Sequence, residues 1–220
     1  MNTVIITGAS KGLGRVIAEK LAEKQWHVIG VGRSERPADL VQSIIYHQFD
    51  ASDADACAAF WEQLAAEINQ DQQHHELCLI NNAGGYLSGA VANVPASDFQ
   101  NQMASNYFAS VFMTQGLIAH VPKAKIVNIL SSGALETYKG QSAYGASKAA
   151  AMHFFQTLQK EVSNADYLIT NIYPSDIATH GPNENAINPV DLAQLVIEQI
   201  ERNNSLHITD LTVYPTGQQL

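Results

Sequence analysis

The sequence predicts an α/β fold: a doubly wound parallel β-sheet flanked by helices on both faces. Three observations predict it. Apolar runs of strand length alternate with longer helical patterns along the 220 residues. Several strand runs are apolar nearly throughout, as strands buried on both faces should be. A glycine-rich turn directly follows the first of them.

The elements follow in order. Val4 to Thr7 reads as a first strand, and Leu13, Val16, Ile17 and Leu21 recur at helical spacing after it. Val28 to Val31 and Ile44 to Phe49 are the second and third strands. Ala54 to Ile68 is helical, with Phe60, Leu64 and Ile68 on one face. Leu77 to Ile80 is a fourth strand, and Asp98 to Ile118 a long helix of small and aromatic residues. Ile126 to Leu130, a helix over Ala143 to Val162, and Tyr167 to Ile172 come next. Pro189 stands where proline favours a helix start, and Leu211 to Tyr214 is a short last strand. Strand–helix alternation implies crossover units and a parallel sheet covered on both sides. One domain spanning 1–220 is the simplest account.

Composition limits the function classes. Twelve Lys and Arg against 21 Asp and Glu leave a net charge of −9, which argues against a non-specific nucleic-acid or anionic-membrane binder. No run approaches the ~20 apolar residues of a membrane span. Met1 runs almost at once into the first strand with no basic leader, so a cytoplasmic protein is expected. Cys57 and Cys78 make neither a disulfide framework nor a four-cysteine zinc site, and Cys78 reads as a core residue. The polar stretch Asn69 to Glu76 reads as a solvated loop, and its His74 and His75 lack a third ligand, so no metal site is expected.

Thr7-Gly8-Ala9-Ser10-Lys11-Gly12-Leu13-Gly14 sits between the first strand and the first helix. Gly8 permits the tight turn, Gly12 a close backbone approach to a pyrophosphate, and Gly14 close helix–strand packing. The helix start offers N–H donors to phosphate. This is the arrangement of a Rossmann-type dinucleotide site, with glycines spaced G-x-x-x-G-x-G. At the end of the second strand, an NAD site carries an acidic residue for the ribose 2′-hydroxyl. Here Gly32 and Arg33 stand there. A guanidinium pairs with a 2′-phosphate, and Lys11 offers a second charge. NADP is favoured over NAD, with Glu35 and Asp39 as contrary signs.

Tyr144 and Lys148 are four apart on a helix and share a face. An ammonium beside a phenol stabilises the phenolate and lowers its pKa, making Tyr144 a candidate general acid/base. Ser131 ends the fifth strand, thirteen residues before Tyr144, where its hydroxyl would meet a carbonyl oxygen. Ser132 competes for that role, but the spacing from Tyr144 and from Asn128 favours Ser131.

Together these motifs resemble the short-chain dehydrogenases/reductases of the single-domain branch, from about Val4 to Ile177. The resemblance covers the glycine loop, with Ser10 and Leu13 among its cofactor contacts. It implies Asp50 at the adenine, and Asn81-Asn82-Ala83-Gly84 steadying the sheet centre, with Asn82, Ala83 and Gly84 lining the cofactor. It further implies Asn106 as the catalytic asparagine of a tetrad with Ser131, Tyr144 and Lys148. Lys148 would anchor the ribose, and Asn106 would order a water that relays protons to it. Pro174, Ile177 and Thr179 match further cofactor contacts. The chain departs from the family in carrying Ser175 in place of the usual glycine after Pro174. It departs again between Thr179 and Pro189, where a short polar segment, His180 to Asn185, replaces the usual helical lid and leaves the substrate site open.

The activity so implied is hydride transfer between NADP(H) and a carbonyl or alcohol substrate. A non-catalytic nucleotide sensor or scaffold of the same fold is the alternative, against which stand the intact Tyr144 and Lys148. Ser88, Leu135, Glu136 and Tyr138 are candidate pocket liners. The resemblance also implies a homodimer or homotetramer paired through the two long helices, with Ala104, Tyr107, Phe108, Ser110, Val111, Ala149, Met152, Phe155 and Gln156 as candidates for the surface.

Overall fold

The computed structural model describes residues 2–70, 76–179, 181, 183–202 and 205–217. His74, His75, His180 and Pro182 lie outside them.

Among the described residues one sheet holds seven strands: β1 (Thr3–Thr7), β2 (His27–Gly32), β3 (Ile45–Gln48), β4 (Leu77–Asn81), β5 (Ala124–Ile129), β6 (Tyr167–Pro174) and β7 (Asp210–Val213). Their order is β3-β2-β1-β4-β5-β6-β7, and every pairing is parallel. The order reverses between β1 and β4. In open α/β sheets a ligand binds at such a switch point, outside the carboxyl ends of the strands.

The helices are α1 (Gly12–Glu23), α2 (Ala54–Gln70), α3 (Ala96–Met103), α4 (Ala109–His120), α5 (Ser142–Glu161) and α6 (Pro189–Glu201). Side chains alternate across a strand, so β1 sends Val4 and Ile6 to one face and Ile5 to the other. Val4 and Ile6 pack with Leu13, Ile17 and Leu21 of α1 and Leu192, Val196 and Ile200 of α6. Ile5 packs with Trp61 and Leu64 of α2, Met113 and Leu117 of α4, and Phe155 of α5. Each such fully buried side chain contributes roughly 1.5–3 kcal/mol. Cys78 is fully buried in the first layer, as expected, and Cys57 is buried in the second.

Two sequence details set helix positions. Asn188 caps α6 by accepting a 2.8 Å hydrogen bond from Val190 N, with Pro189 at the first turn. Gly116 lets α4 lie against α2, since a Cβ there would stand 2.7 Å from Trp61 Cγ.

The long helix expected over Asp98 to Ile118 is divided. A π-turn, Ala104–Phe108, separates α3 from α4. Such widened turns concentrate at functional positions, and this one carries Asn106. Of the residues expected on the oligomer surface, Ser110 and Phe155 are buried, Phe155 because it packs in the core under the sheet and Ser110 with its hydroxyl donating to Tyr107 O at 2.8 Å. Phe108 is exposed, and Ala104, Tyr107, Val111, Ala149, Met152 and Gln156 are half-buried.

Candidate active site

The glycine loop leaves β1 at its carboxyl end. Gly8 N and Ala9 N donate to Val31 O at 2.8 and 3.2 Å, tying the turn to β2. Gly8 and Gly12 have φ of +71° and +57°, a region that costs other residues strain. Gly14 meets the loop edge-on, and a Cβ there would stand 3.0 Å from the Gly8 carbonyl carbon. Lys11 is the N-cap of α1, makes no side-chain cap, and no acidic residue follows in the first turn. The helix start therefore presents N–H donors and its positive dipole end toward the switch point.

Thr7 joins this loop to the end of β4. Its Oγ1 accepts from Asn82 N and Ala83 N, both at 3.0 Å. Asn82 Nδ2 returns bonds to Thr7 O at 3.0 Å and Gly8 O at 3.3 Å. Across the groove, Thr179 lies over the loop: a Cβ on Gly12 would sit 3.6 Å from its Cγ2. Thr179 follows Pro174 and Ile177 after the carboxyl end of β6, and Ile177 is bridged to Ile187. Ser175 is accommodated without strain, since Gln25 is the only non-glycine with positive φ among the described residues. Its N–H donates to Val213 O at 2.9 Å.

At the far end of the groove Arg33 and Asp50 face each other, Nη1 to Oδ2, at 3.9 Å. The Arg33 side chain is 70% exposed. Asp50 Oδ1 is occupied by Ser52 N and Oγ at 2.9 and 2.8 Å. Asp39, a contrary sign for the ribose site, is drawn away by Arg15, whose Nη1 binds its carboxylate at 3.0 Å. Glu35 is exposed. The glycine loop, the bare helix start and the Arg33 end together have the shape and charge to hold a phosphorylated dinucleotide.

The catalytic candidates converge at the carboxyl end of β5. Ser131 follows β5, is buried, and accepts from Gly133 N at 3.1 Å. Its hydroxyl and the Tyr144 ring flank Gly133: a Cβ there would stand 3.4 Å from Ser131 Oγ and 3.5 Å from Tyr144 Cε1. Burial raises the Tyr144 phenol above its ordinary value of 10, and the nearby Ser131 side chain opposes this. The expectation of a lowered Tyr144 pKa is therefore not met. Desolvation outweighs what favours the phenolate, and Lys148 is itself desolvated. The Lys148 ammonium is lowered to about 8 by burial, and its Nζ donates to Ile129 O at 2.9 Å.

Asn106 comes in from the π-turn, buried. Its Nδ2 lies 3.0 Å from Gly85 O, Gln102 Oε1 and Ser147 Oγ, and its Oδ1 accepts from Gly85 N at 3.0 Å. Gly84 stands between the two: a Cβ there would approach Asn106 Oδ1 at 2.5 Å and Lys148 Nζ at 3.6 Å. Ser132 turns toward Tyr138, with hydroxyls 3.4 Å apart.

A pocket of ≈ 470 Å³ opens beside Tyr144, lined among others by Gly133, Leu135, Glu136, Tyr138 and Gln141. Gly133 is the shared wall, since a Cβ there would stand 3.5 Å from Tyr144 Cε1. Ser88 abuts this wall at Gly140.

Sequence reasoning missed three features here. Tyr86 packs edge-on against Tyr144, centroids 5.1 Å apart, and accepts from Gln141 Nε2 at 3.2 Å. Glu136 accepts from Tyr138 at 2.7 Å and also from Tyr214, so the residue that follows β7 is tied to the pocket wall. That contact holds the Glu136 carboxyl below its usual range and pushes Tyr214 up to about 12. Third, a ladder of amides crosses the sheet: Asn81 Nδ2 to Asn128 Oδ1 at 2.9 Å, Asn128 Nδ2 to Asn171 Oδ1 at 2.9 Å, and Asn171 Nδ2 to Asp210 at 3.3 Å. One signal could have found it: each asparagine interrupts or ends an otherwise apolar strand run.

Comparison with known proteins agrees with this fold. The family model for short chain dehydrogenase matches residues 2–188. A fatty acyl-CoA reductase of Acinetobacter baylyi is 32% identical over 219 residues, covering 89% of this chain and 72% of that protein. A serine 3-dehydrogenase of Agrobacterium fabrum is 29% identical over 240 residues, covering 98% and 94%. An alcohol dehydrogenase of the archaeon Thermococcus sibiricus, solved in complex with 5-hydroxy-NADP, superposes with a TM-score of 0.88 at 19% identity, covering 100% and 99% of the two chains. The chain thus belongs to the short-chain dehydrogenase family of NAD(P)-dependent oxidoreductases.

Proposed function

We propose that this protein interconverts a carbonyl compound and its alcohol with NADP(H), and that Tyr144 is the general acid/base. The observation that carries this is the convergence of Ser131 and Tyr144 on Gly133, which lines an open pocket at the carboxyl end of β5. A cofactor's nicotinamide, when bound in the groove, supplies or accepts the hydride. The chain's own groups do the rest. The glycine loop Gly8 to Gly14, with Ser10, Lys11 and Leu13, holds the pyrophosphate at the α1 start. Asp50 takes the adenine, and Asn82, Ala83, Gly84, Pro174, Ile177 and Thr179 line the groove.

In the reducing direction the Tyr144 hydroxyl gives its proton to the substrate oxygen while the Ser131 hydroxyl holds that oxygen. Lys148 carries its charge to the ribose hydroxyls and to the phenol, and Asn106 keeps the turn at Gly85 open for a water leading to Lys148. Arg33, exposed and 3.9 Å from the Asp50 carboxylate, supports NADP over NAD. The complex of the archaeal alcohol dehydrogenase with an NADP derivative points the same way.

The test is NADPH oxidation, followed by absorbance, across ketones, aldehydes, quinones and oxoacyl thioesters, with NADH in parallel. Turnover with at least one class and a higher kcat/KM for NADPH is expected. Equal use of NADH removes the cofactor reading, and absence of turnover across the panel removes the catalytic one.

The exposed Phe108, with the half-buried Tyr107, Val111, Ala149 and Met152, supports pairing of two copies through α4 and α5. Light scattering checks this, and a strict monomer overturns it.

A further inference from the structure

The end of β2 is shaped by a residue of β3 that neither the glycine loop nor the catalytic group includes. Gly30 and Gly32 point to the same face of β2, since side chains alternate along a strand. The ring of Tyr46, the partner of Gly30 in register, lies along the trough these glycines leave. A Cβ on Gly30 would stand 3.3 Å from Tyr46 Cδ2. A Cβ on Gly32 would collide with the Tyr46 hydroxyl and stand 3.2 Å from its Cζ. Ser10 of the glycine loop closes the other side, 3.7 Å from that same point.

The hydroxyl has a fixed partner. It donates to Ser34 O at 3.0 Å, and from the same strand Gln48 Nε2 donates to Arg33 O at 3.3 Å. Two β3 side chains thus hold the carbonyls of the turn that carries Arg33. The guanidinium is left outward, with Asp50 at 3.9 Å across the groove.

From this geometry we infer that Tyr46 is a specificity-determining residue for the cofactor, acting through its neighbours. Its hydroxyl stands where the Cβ of a side chain at position 32 would lie, which keeps from that position the carboxylate that accepts from a ribose 2′-hydroxyl in NAD sites. Its bond to Ser34 holds the Arg33 turn in the form that meets a 2′-phosphate. Tyr46 is a positioning residue and touches no reacting atom. The inference rests on the NADP reading above.

The experiment measures binding of NADPH and NADH to the purified protein by calorimetry, with thermal melting of the free protein as the folding control. Wild type is expected to bind NADPH at least ten-fold tighter. Tyr46→Phe keeps the ring and loses one hydrogen bond, so NADPH should weaken by about 3- to 10-fold while NADH is unchanged. Gly32→Asp alone should gain no NADH affinity and should melt lower, because the new side chain meets Tyr46. Gly32→Asp with Tyr46→Val should bind NADH at least ten-fold tighter than Gly32→Asp alone.

The Tyr46 assignment is overturned if Tyr46→Phe leaves the NADPH/NADH ratio unchanged. It is equally overturned if Gly32→Asp gains as much NADH affinity alone as in the pair. A wild type that binds both cofactors equally overturns the NADP reading instead, and does so before any variant is made. If Gly32→Asp does not fold, the Tyr46→Phe ratio still decides.

Discussion

The Lys148 ammonium is buried and donates a 2.9 Å hydrogen bond to the Ile129 carbonyl at the end of β5. In the proposed reading that position serves the cofactor groove, and it costs the fold. A lysine whose pKa is lowered from 10.5 to about 8 binds fewer protons folded than unfolded between those two values. The cost, about 3 kcal/mol, is therefore fully present below pH 8 and is relieved as pH rises from 8 to 10.5. Lys148→Met should abolish turnover yet stabilise the protein at pH 7 by about 1–3 kcal/mol. Urea unfolding of both proteins at pH 7 and pH 10 checks it. The advantage of the variant should shrink at the higher pH, and a constant difference would contradict the burial argument.

Tyr144 holds its proton throughout the neutral range because burial raises its pKa. In the proposed mechanism carbonyl reduction needs that proton, so its rate should be flat from pH 6 to 8 where Tyr144 governs it. Alcohol oxidation needs the phenolate, so its rate should climb with pH over the same range. Tyr144→Phe should lower kcat by about 10²–10⁴-fold and abolish the climb, with NADPH affinity retained. Steady-state pH profiles in both directions and a binding titration decide the matter, and near-normal turnover by the variant would refute the assigned acid.

Ser131 and Ser132 can be separated by substitution. Ser131 and Tyr144 meet at Gly133, whereas Ser132 faces the Tyr138 hydroxyl. Ser131→Ala should cost about 10²–10³-fold in kcat, as the loss of one donor to a charged oxygen does. Ser132→Ala should stay within about ten-fold, since it loses only a long contact. The reverse order in single-turnover rates would move the role to Ser132.

Asn128 is the middle rung of the amide ladder, fully buried and bonded to Asn81 and Asn171. Asn128→Ala would leave a donor on Asn81 and an acceptor on Asn171 without their partner. Two such losses should cost about 2–5 kcal/mol. Chemical unfolding measures it. A variant within 0.5 kcal/mol of wild type, about the experimental margin for neutral substitutions, would show that the ladder is incidental.

Much of the architecture was legible because it is written in local patterns. The strand runs near Val4, Leu77 and Ile126 are apolar on both faces, and the described strands lie there with boundaries moved by one or two residues. The glycine loop was legible because its glycines serve the turn itself: positive φ at Gly8 and Gly12, and contact at Gly14. Ser131 and Tyr144 were legible through spacing and resemblance, and they do meet. The division of the long helix at Ala104–Phe108 was not, because a π-turn answers to what Asn106 bonds across the chain at Gly85 and Ser147, which periodicity does not record.

The sequence by itself determined the element order, the glycine loop between β1 and α1 and the residues proposed for the chemistry, since each depends on neighbours in the chain. Only the tertiary structure decided the rest. It turned Ser110 and Phe155 inward, linked Tyr214 to Glu136, and set Tyr46 against Gly32. It also raised the Tyr144 pKa where the Tyr-x-x-x-Lys spacing alone pointed down. The physical reason is common to all of these: burial and contact depend on residues far apart in sequence, and the desolvation of a phenol is fixed by everything packed around it.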